Sequence, residues 1–181
     1  MRRRTLLAWP LAWGALSVAA QGVAAAPPPH IAAHLPQARL RGTGTMRFLG
    51  LHIYDAQVWS ADPVRSDGGD QPLAIDIAYA RSLSGERIAK RSIDEMRRIG
   101  EFDAATAERW LQTMVQLFPD VGAGDRLTGV HLPGRSARFY ANGRLRGEVA
   151  DALFARLFFG IWLSPRTSEP GLRAQMIGTP S

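Results

Sequence analysis

The sequence predicts one α+β domain in which helices cover one face of an antiparallel sheet. Three observations predict it. Segments with the alternation of β-strands come first along the chain, two amphipathic helical segments follow, and a hairpin and further helices complete it. No repeat with the period of solenoids or propellers interrupts that order. A chain of this length can bury a core of its own, so it does not need disulfides.

Residues 1–25 are expected to be a signal peptide. Three arginines, Arg2 to Arg4, precede an apolar run over 6–20 that ends among small residues. The run is short for a membrane span, and Pro10 breaks it, so an uncleaved anchor is the less favoured alternative. The paired arginines are also similar to a twin-arginine signal, so that route and the general secretory route both stay open. We therefore expect a periplasmic or secreted protein with no stable membrane span after signal removal.

Charge and cysteine content exclude several classes of function. The formal net charge is +6, and three of the positive charges belong to the predicted signal. The densest basic stretch, 87–98, includes acidic residues on a predicted helix and is typical of a solvated face. No nucleic-acid partner is therefore expected. The chain has no cysteine, which excludes disulfides, thiol chemistry and thiolate metal sites.

Residues 26–37 are expected to form a flexible, extended, proline-rich leader, because three consecutive prolines occur there without any periodic pattern. His30 and His34 lie four residues apart, a spacing that could hold a metal on a stable helix. A proline-flanked terminal segment is a poor helix, so we expect no metal site there. The domain itself is expected over residues 38–178.

The strands come next. Residues 40–59 are rich in strand-forming side chains, and glycines at 42, 44 and 50 mark bends, bulges or close backbone approaches. Residues 73–80 alternate as a second strand segment. Strands are also predicted over 127–132 and 137–141, and Asn142-Gly143 is a hairpin signal that leads into 144–148.

Helix signals occur between and after these strands. Ser84 can cap a helix that ends at Gly100, and Asp103 can cap a second that ends before Phe118-Pro119. Asp151 begins a third helix, and a short helix follows Ser168. We expect the apolar face of the third helix to belong to the core and not to a membrane or a cofactor. That face carries Phe154, Phe158 and Trp162.

Motifs for catalysis and cofactors are missing from the sequence. His52 and His131 stand alone in separate predicted strands, which does not suit a metal site. No Gly-x-Ser-x-Gly elbow occurs, and the glycines at 122 and 124 lack the Lys-Ser/Thr ending of a phosphate loop. No cofactor is expected.

Arg47 lies inside an otherwise apolar strand. An unpaired buried guanidinium is costly, so Arg47 either extends to the edge or meets an anion in the interior. Strand alternation puts Arg47 on one face with Leu49, Leu51 and Ile53, unless a bulge at Gly50 shifts the register. We expect that aliphatic face to be the one that the helices cover.

Five segments, in this order, resemble bacterial chalcone isomerase-like proteins. They are residues 42–56, 124–127, 139–143, 158–163 and 167–172. The resemblance spans residues 38–178 and implies an antiparallel sheet, a covering helical layer and an apolar cleft between them. Plant members cyclise chalcones, related members bind fatty acids without catalysis, and many bacterial members have no assigned activity. The resemblance therefore implies the fold more firmly than the function.

The resemblance also implies site residues. By this resemblance Arg47 corresponds to the family's arginine, displaced by one position, with Met46 where that arginine usually falls. Residues 81–84 contain no equivalent of the family's tyrosine, and Lys90 falls about where its asparagine would be. Thr167 is similar to the family's hydroxyl residue, and Tyr54 offers a further donor. The expected ligand-binding residues are Arg47, Tyr54 and Thr167, with no catalytic residue.

These considerations favour a non-catalytic exported protein that binds a fatty-acid-like or other amphipathic ligand in an apolar cleft. Binding needs one cation for a carboxylate and an apolar space for a chain. Closing a chalcone ring needs several positioned donors for the enolate charge. The alternatives are an intramolecular lyase or isomerase that acts on a chalcone-like enone, and a structural envelope protein without a ligand. The sequence sets no oligomeric state.

Overall fold

The computed structural model describes residues 26–66 and 70–177, and within them the chain forms six strands and five helices. The predicted signal peptide lies outside the described residues. The strands are β1 Arg39–Phe48, β2 Leu51–Ser60, β3 Leu73–Tyr79, β4 Arg126–Leu132, β5 Ser136–Ala141 and β6 Arg144–Val149. The helices are α1 Pro29–Ala32, α2 Gly85–Ile99, α3 Ala104–Leu117, α4 Ala152–Leu163 and α5 Pro170–Ile177.

The strands form one antiparallel sheet in the order of the sequence, with β1 and β6 at its edges. Helices α2 and α3 are inserted between β3 and β4, and α4 and α5 follow β6. One face of the sheet, which we call the inner face, packs against this helical layer. The predicted α+β class with a helix-covered antiparallel sheet is confirmed.

The predicted helix starts are also confirmed. A helix leaves its first backbone N–H groups without partners, and a polar side chain just before it can accept from one of them. Ser84, Asp103 and Asp151 do so at α2, α3 and α4.

The core is built on the inner face, where side chains of α4 meet those of β5. Phe154 is fully buried, and its ring centroid lies 5.6 Å from that of Phe158 in a stacked arrangement. The Phe139 and Phe158 centroids lie 5.0 Å apart, edge to face. Trp162 is buried one turn further along. The expectation that this apolar face belongs to the core is confirmed.

Two glycines of β1 allow α5 to pack directly on the edge of the sheet. A Cβ atom on Gly42 would lie 1.9 Å from the carbonyl oxygen of Met176, and one on Gly44 would lie 2.6 Å from Cδ1 of Leu172. Both distances are shorter than any real contact. The close approach predicted for these strand glycines is therefore present, and α5 closes the helical layer over β1.

The proline-rich segment packs on the opposite, outer face of the sheet. Within residues 28–38, which we call the N-terminal strap, Pro29–Ala32 form a helical turn and Ile31 has no exposed surface. Ile31 packs with Trp59, Val130 and Tyr140, which belong to three different strands. The expectation of an extended, flexible leader is wrong, because the outer face carries an apolar cluster that the strap covers.

Two histidines hold the strap over a polar network. His30 Nε2 lies 3.0 Å from the Thr128 hydroxyl, which donates to Asp76 Oδ1 at 2.9 Å, and Arg126 pairs with the other Asp76 oxygen at 2.5 Å. His34 Nε2 lies 2.7 Å from the Tyr140 hydroxyl. These bonds connect the strap to β3, β4 and β5.

Burial lowers the pKa of both strap histidines. For His30, the nearby Asp76 carboxylate opposes the effect of burial and Arg126 adds to it. For His34, burial is again the largest cause, Arg138 adds to it and Glu148 opposes it. The folded state therefore favours neutral imidazoles in the strap.

We expect acid to weaken the fold through the strap. A histidine whose folded-state pKa lies below its unfolded value binds fewer protons when folded, so stability is lost as pH falls below the unfolded pKa of about 6.5. Urea denaturation should give a lower free energy of unfolding at about pH 5.5 than at about pH 7, with a smaller difference in His30→Gln/His34→Gln. His131, whose pKa burial also lowers, is present in both proteins. Equal pH dependence of parent and variant would contradict this role of the strap.

The Phe154 ring should account for a large part of the stability of the helical layer. Phe154→Ala is expected to lower the free energy of unfolding by about 3–5 kcal/mol, because it removes a ring from a packed core. Leu153→Ala, next to it on the exposed side of α4, is the control and should cost less than about 1 kcal/mol. Chemical denaturation measures both. A loss in Phe154→Ala as small as in the control would place that face outside the core.

Candidate functional site

An apolar cavity of about 380 Å³ lies between the inner face of the sheet and the helical layer. Alternation within β3 places Ile75, Ile77 and Tyr79 on its floor, while the intervening residues of the strand point outward. The walls come from β1, β2, β4, β5, α2, α4 and the segment that begins α5. Apolar members of the walls include Met46, Ile53, Leu127, Phe139, Ile88, Phe158, Ile161 and Leu172.

Two tyrosines are the polar groups of the floor. Tyr54 and Tyr79 both line the cavity, and their rings meet edge to face with centroids 6.0 Å apart. Trp162 Nε1 donates to the Tyr54 hydroxyl at 3.0 Å, which leaves the Tyr54 hydroxyl hydrogen available for another acceptor. Burial raises the pKa of Tyr54 to about 12 and also raises that of Tyr79. Both phenols are therefore neutral hydrogen-bond donors at physiological pH.

Charged side chains of α2 line another part of the wall. Residues 87, 91 and 95 are spaced four apart, so Arg87, Arg91 and Glu95 share one side of the helix and all border the cavity. Arg91 Nη2 lies 2.6 Å from Oε1 of the buried Glu95, and Arg98 Nε lies 3.7 Å from its other oxygen. Arg87 and Arg91 are themselves exposed. The cavity thus combines an apolar interior with phenol donors and an exposed cationic border.

Of the predicted site residues, Tyr54 lies in the cavity and Arg47 does not. Arg47 is exposed on the outer side of β1, beside the carboxylate of Asp55. Asp55 accepts a hydrogen bond from the Thr45 hydroxyl at 2.6 Å and lies 3.1 Å from His52 Nε2. The Thr45 hydroxyl is the main reason that the pKa of Asp55 is lowered, and His52 and Arg47 add to it.

The inner face expected for Arg47 is wrong, because Gly44 packs against Leu172 of α5 and alternation along β1 then turns Met46 inward and Arg47 outward. Met46 pairs with Tyr54 and Arg47 pairs with His52, so Ile53 is an extra, bulged residue on β2. Because of the bulge, Ile53 and Tyr54 both line the cavity. On β1, it is Met46 that points inward, at the position where the family's arginine would fall. An outward Arg47 stays hydrated and avoids the cost of burial.

Thr167 lies in the turn between α4 and α5, and the structure does not bring it to the cavity wall. Its hydroxyl donates to the carbonyl of Ile161 at 2.6 Å and accepts from the backbone N–H of Glu169 at 3.2 Å. The neighbouring Ser168 and Glu169 line the cavity instead. Lys90, at the family's asparagine position, is exposed and pairs with Glu86 at 2.5 Å. Ligand contact by Arg47 and Thr167 therefore lacks the geometric basis that Tyr54 has.

Sequence reasoning missed Tyr79, Trp162, Arg91 and Glu95 as members of the site. The spacing of Arg87, Arg91 and Glu95 on a predicted helix could have placed them on one side, but it resembled a solvated face. The hydrogen bond from Trp162 to Tyr54 joins residues 108 positions apart and left no local signal.

Clustered metal ligands and membrane-spanning helices are both absent from the described part of the chain. Residues 26–66 and 70–177 contain no group of three or more His, Cys, Asp or Glu side chains that could hold a metal ion. Within the same residues, no helix combines the length and apolar content needed to cross a membrane.

The chain is similar to a known protein family, to a relative and to a solved structure. A family model described as chalcone isomerase-like matches residues 25–178, which include the N-terminal strap. An uncharacterized protein of Haemophilus influenzae is 29% identical over 127 residues, which cover 70% of this chain and 61% of that relative's length. The crystal structure of an Arabidopsis thaliana fatty-acid binding protein superimposes with a TM-score of 0.62 at 16% identity, covering 78% of this chain and 87% of that one. The chain belongs to the chalcone isomerase-like family.

Proposed function

We propose that this protein binds an amphipathic ligand with an acidic head, such as a fatty acid, and does so without catalysis. The observation that carries the proposal is the apolar cavity with the Tyr54 hydroxyl on its floor. Its volume of about 380 Å³ falls in the range of about 300–1,000 Å³ that small-molecule sites occupy. The fatty-acid binding protein of Arabidopsis thaliana shares the fold, which supports the same class of ligand here.

The apolar walls supply the affinity for a hydrocarbon chain. Each methylene group moved from water into such walls contributes about 0.8 kcal/mol. An apolar cavity without an occupant costs stability, because the lining atoms lose contacts. In a structural protein without a ligand, side chains that filled this space would remove that cost. The open cavity therefore favours a binding function over a structural one.

The polar groups of the cavity suit a carboxylate. The Tyr54 phenol can donate its hydrogen to a carboxylate oxygen, and its raised pKa keeps that hydrogen in place. Arg87 borders the same cavity and supplies positive charge, and Arg91 borders it while pairing with Glu95. Glu95 opposes an anion, but Arg91 and Arg98 offset its charge. We place the head of the ligand near Tyr54 and the α2 arginines, and its tail among the isoleucines of β3.

The isomerase alternative has less support. Stabilising an enolate needs several donors aimed at one oxygen. Met46 occupies the inward position of the family's arginine, and Leu83 lines the cavity in the segment where the family's tyrosine would fall. Without those residues, Tyr54 and Tyr79 are too few donors for ring closure, but they can bind the head of a ligand.

Export is part of the proposal and rests on the sequence of residues 1–25. The protein should be recovered from the periplasm or medium, with Gln21 or Ala26 as its first residue. Fractionation and N-terminal sequencing test this, and recovery of the intact chain from the cytoplasm would contradict it.

We expect native mass spectrometry of protein isolated from cells to show an adduct of lipid mass. Leu127→Trp should abolish the adduct, because the indole projects from β4 into the cavity. Arg47→Ala is the matched control: it lies outside the cavity and should retain the adduct. An adduct of equal intensity in folded Leu127→Trp would contradict binding in this cavity.

Tyr54→Phe should weaken binding of palmitate by about 10- to 100-fold, since a hydrogen bond to a charged group is worth about 1.5–3 kcal/mol. It should also lower stability by about 1–3 kcal/mol, because the Trp162 N–H loses its buried acceptor. Tyr140→Phe, on the outer face, should leave palmitate binding unchanged. Isothermal titration calorimetry and denaturation measure the two effects. Unchanged affinity in Tyr54→Phe would remove Tyr54 from the head site.

A further inference from the structure

The β1–β2 hairpin ends in an apolar tip, residues 48–51, that projects from the fold. Phe48 is 59% exposed, Leu49 86% and Leu51 51%. Single exposed apolar residues are common on protein surfaces, but neighbouring ones that form a patch mark interaction sites. The tip therefore exposes three large apolar side chains that contribute little to the core.

The backbone at the tip makes this choice of residues more unusual. Leu49 and Gly50 have φ angles of 49° and 78°, the values of a two-residue turn that favours Asn-Gly. The hairpin between β5 and β6 uses that pair, since Asn142 and Gly143 have φ angles of 49° and 77°. A leucine in this left-handed conformation is unfavourable. Folding thus gains neither packing nor backbone energy from Leu49, which points to a role outside folding.

The tip is continuous with the ligand cavity. Phe48 lines the cavity as well as being more than half exposed, and Met46 and Ile53 continue the apolar surface inward from it. The hairpin tip therefore forms one side of the mouth of the cavity. A hydrocarbon chain that leaves the cavity here would pass along the tip.

Cationic side chains surround this mouth. Arg47 precedes the tip, and Arg81 lies at the same end of the sheet, where it shares a shallow groove with His52. Arg87 and Arg91 border the cavity from α2. Of the acidic groups nearby, Asp55 is engaged by Thr45 and His52, and Glu95 pairs with arginines, while Glu169 also lines the cavity. An apolar tip within a basic surround complements a bilayer with anionic headgroups.

We propose that the hairpin tip inserts into the headgroup region of an anionic lipid bilayer and holds the mouth of the cavity against the membrane. The passage of a ligand between bilayer and cavity rests on the function proposed above, whereas the docking itself does not. The proposed partner of the tip is a lipid surface. A second copy of the chain and another protein are the alternative partners.

The test is sedimentation with vesicles of phosphatidylcholine that contain about one-third phosphatidylglycerol. The assay uses the protein that cells release. Intact-mass measurement should show that the parent and the variants have the same N-terminus. Leu49→Asn should reduce vesicle binding about tenfold, because it removes a leucine from the inserted patch. Its thermal midpoint should equal or exceed that of the parent, since asparagine tolerates a positive φ.

Leu145→Asn is the matched control. Leu145 is 60% exposed and lies on β6, at the opposite edge of the sheet. This variant should keep the vesicle binding of the parent. Binding by the parent should also fall in vesicles of phosphatidylcholine alone and at high salt.

Equal binding by parent and Leu49→Asn, or equal losses in both variants, would overturn the proposal. Self-association of the parent that Leu49→Asn abolishes, without any vesicle binding, would assign the tip to a second copy and also overturn it. The native lipid adduct separates this proposal from the function above. Absent vesicle binding with the adduct retained would reject docking alone, and an absent adduct with vesicle binding retained would reject the ligand alone.

Discussion

The direct contact between α5 and the glycine face of β1 decides where the site of this protein lies. With no side chain at residue 44, Leu172 comes close enough to the strand that even a Cβ atom would overlap it. That contact fixes one side of β1 as the inner side, and alternation then places Met46 inward and Arg47 outward. The position of the cavity, the chemistry of its floor and the exposure of the outer arginine all follow from this packing.

A second consequence is the composition of the cavity itself. With a methionine at the inward position, the floor has no strand cation, and its polar groups are phenols whose burial keeps them neutral. The positive charge is supplied from α2, at the exposed border and not in the interior. Such a division suits a ligand whose tail is buried and whose head lies between Tyr54 and the arginines of the border, and it suits a mouth that can meet a membrane surface.

Local signals in the sequence predicted most of the fold. Ser84, Asp103 and Asp151 each predicted the start of a helix, and Asn142-Gly143 predicted a hairpin. The spacing of the aromatic residues at 154, 158 and 162 predicted a helix face that belongs to the core. The packing of the strap was not predicted, because its prolines are typical of an unstructured segment. The apolar cluster that Ile31 contacts exists only on the outer face of the folded sheet. The inward face of β1 was assigned wrongly because alternation gives two faces without saying which one is covered. The Tyr54–Trp162 pair was missed as a unit because its partners are far apart in sequence.

The most direct test of the central claim locates a ligand head inside the cavity. Palmitate labelled with ¹³C next to its carboxylate should give isotope-filtered nuclear Overhauser contacts to the Tyr54 ring and the Trp162 indole, which share the floor and the roof around the proposed head site. Contacts confined to residues of the outer face, or none at saturating palmitate, would contradict the assignment of this cavity as a binding site for acidic amphipathic ligands.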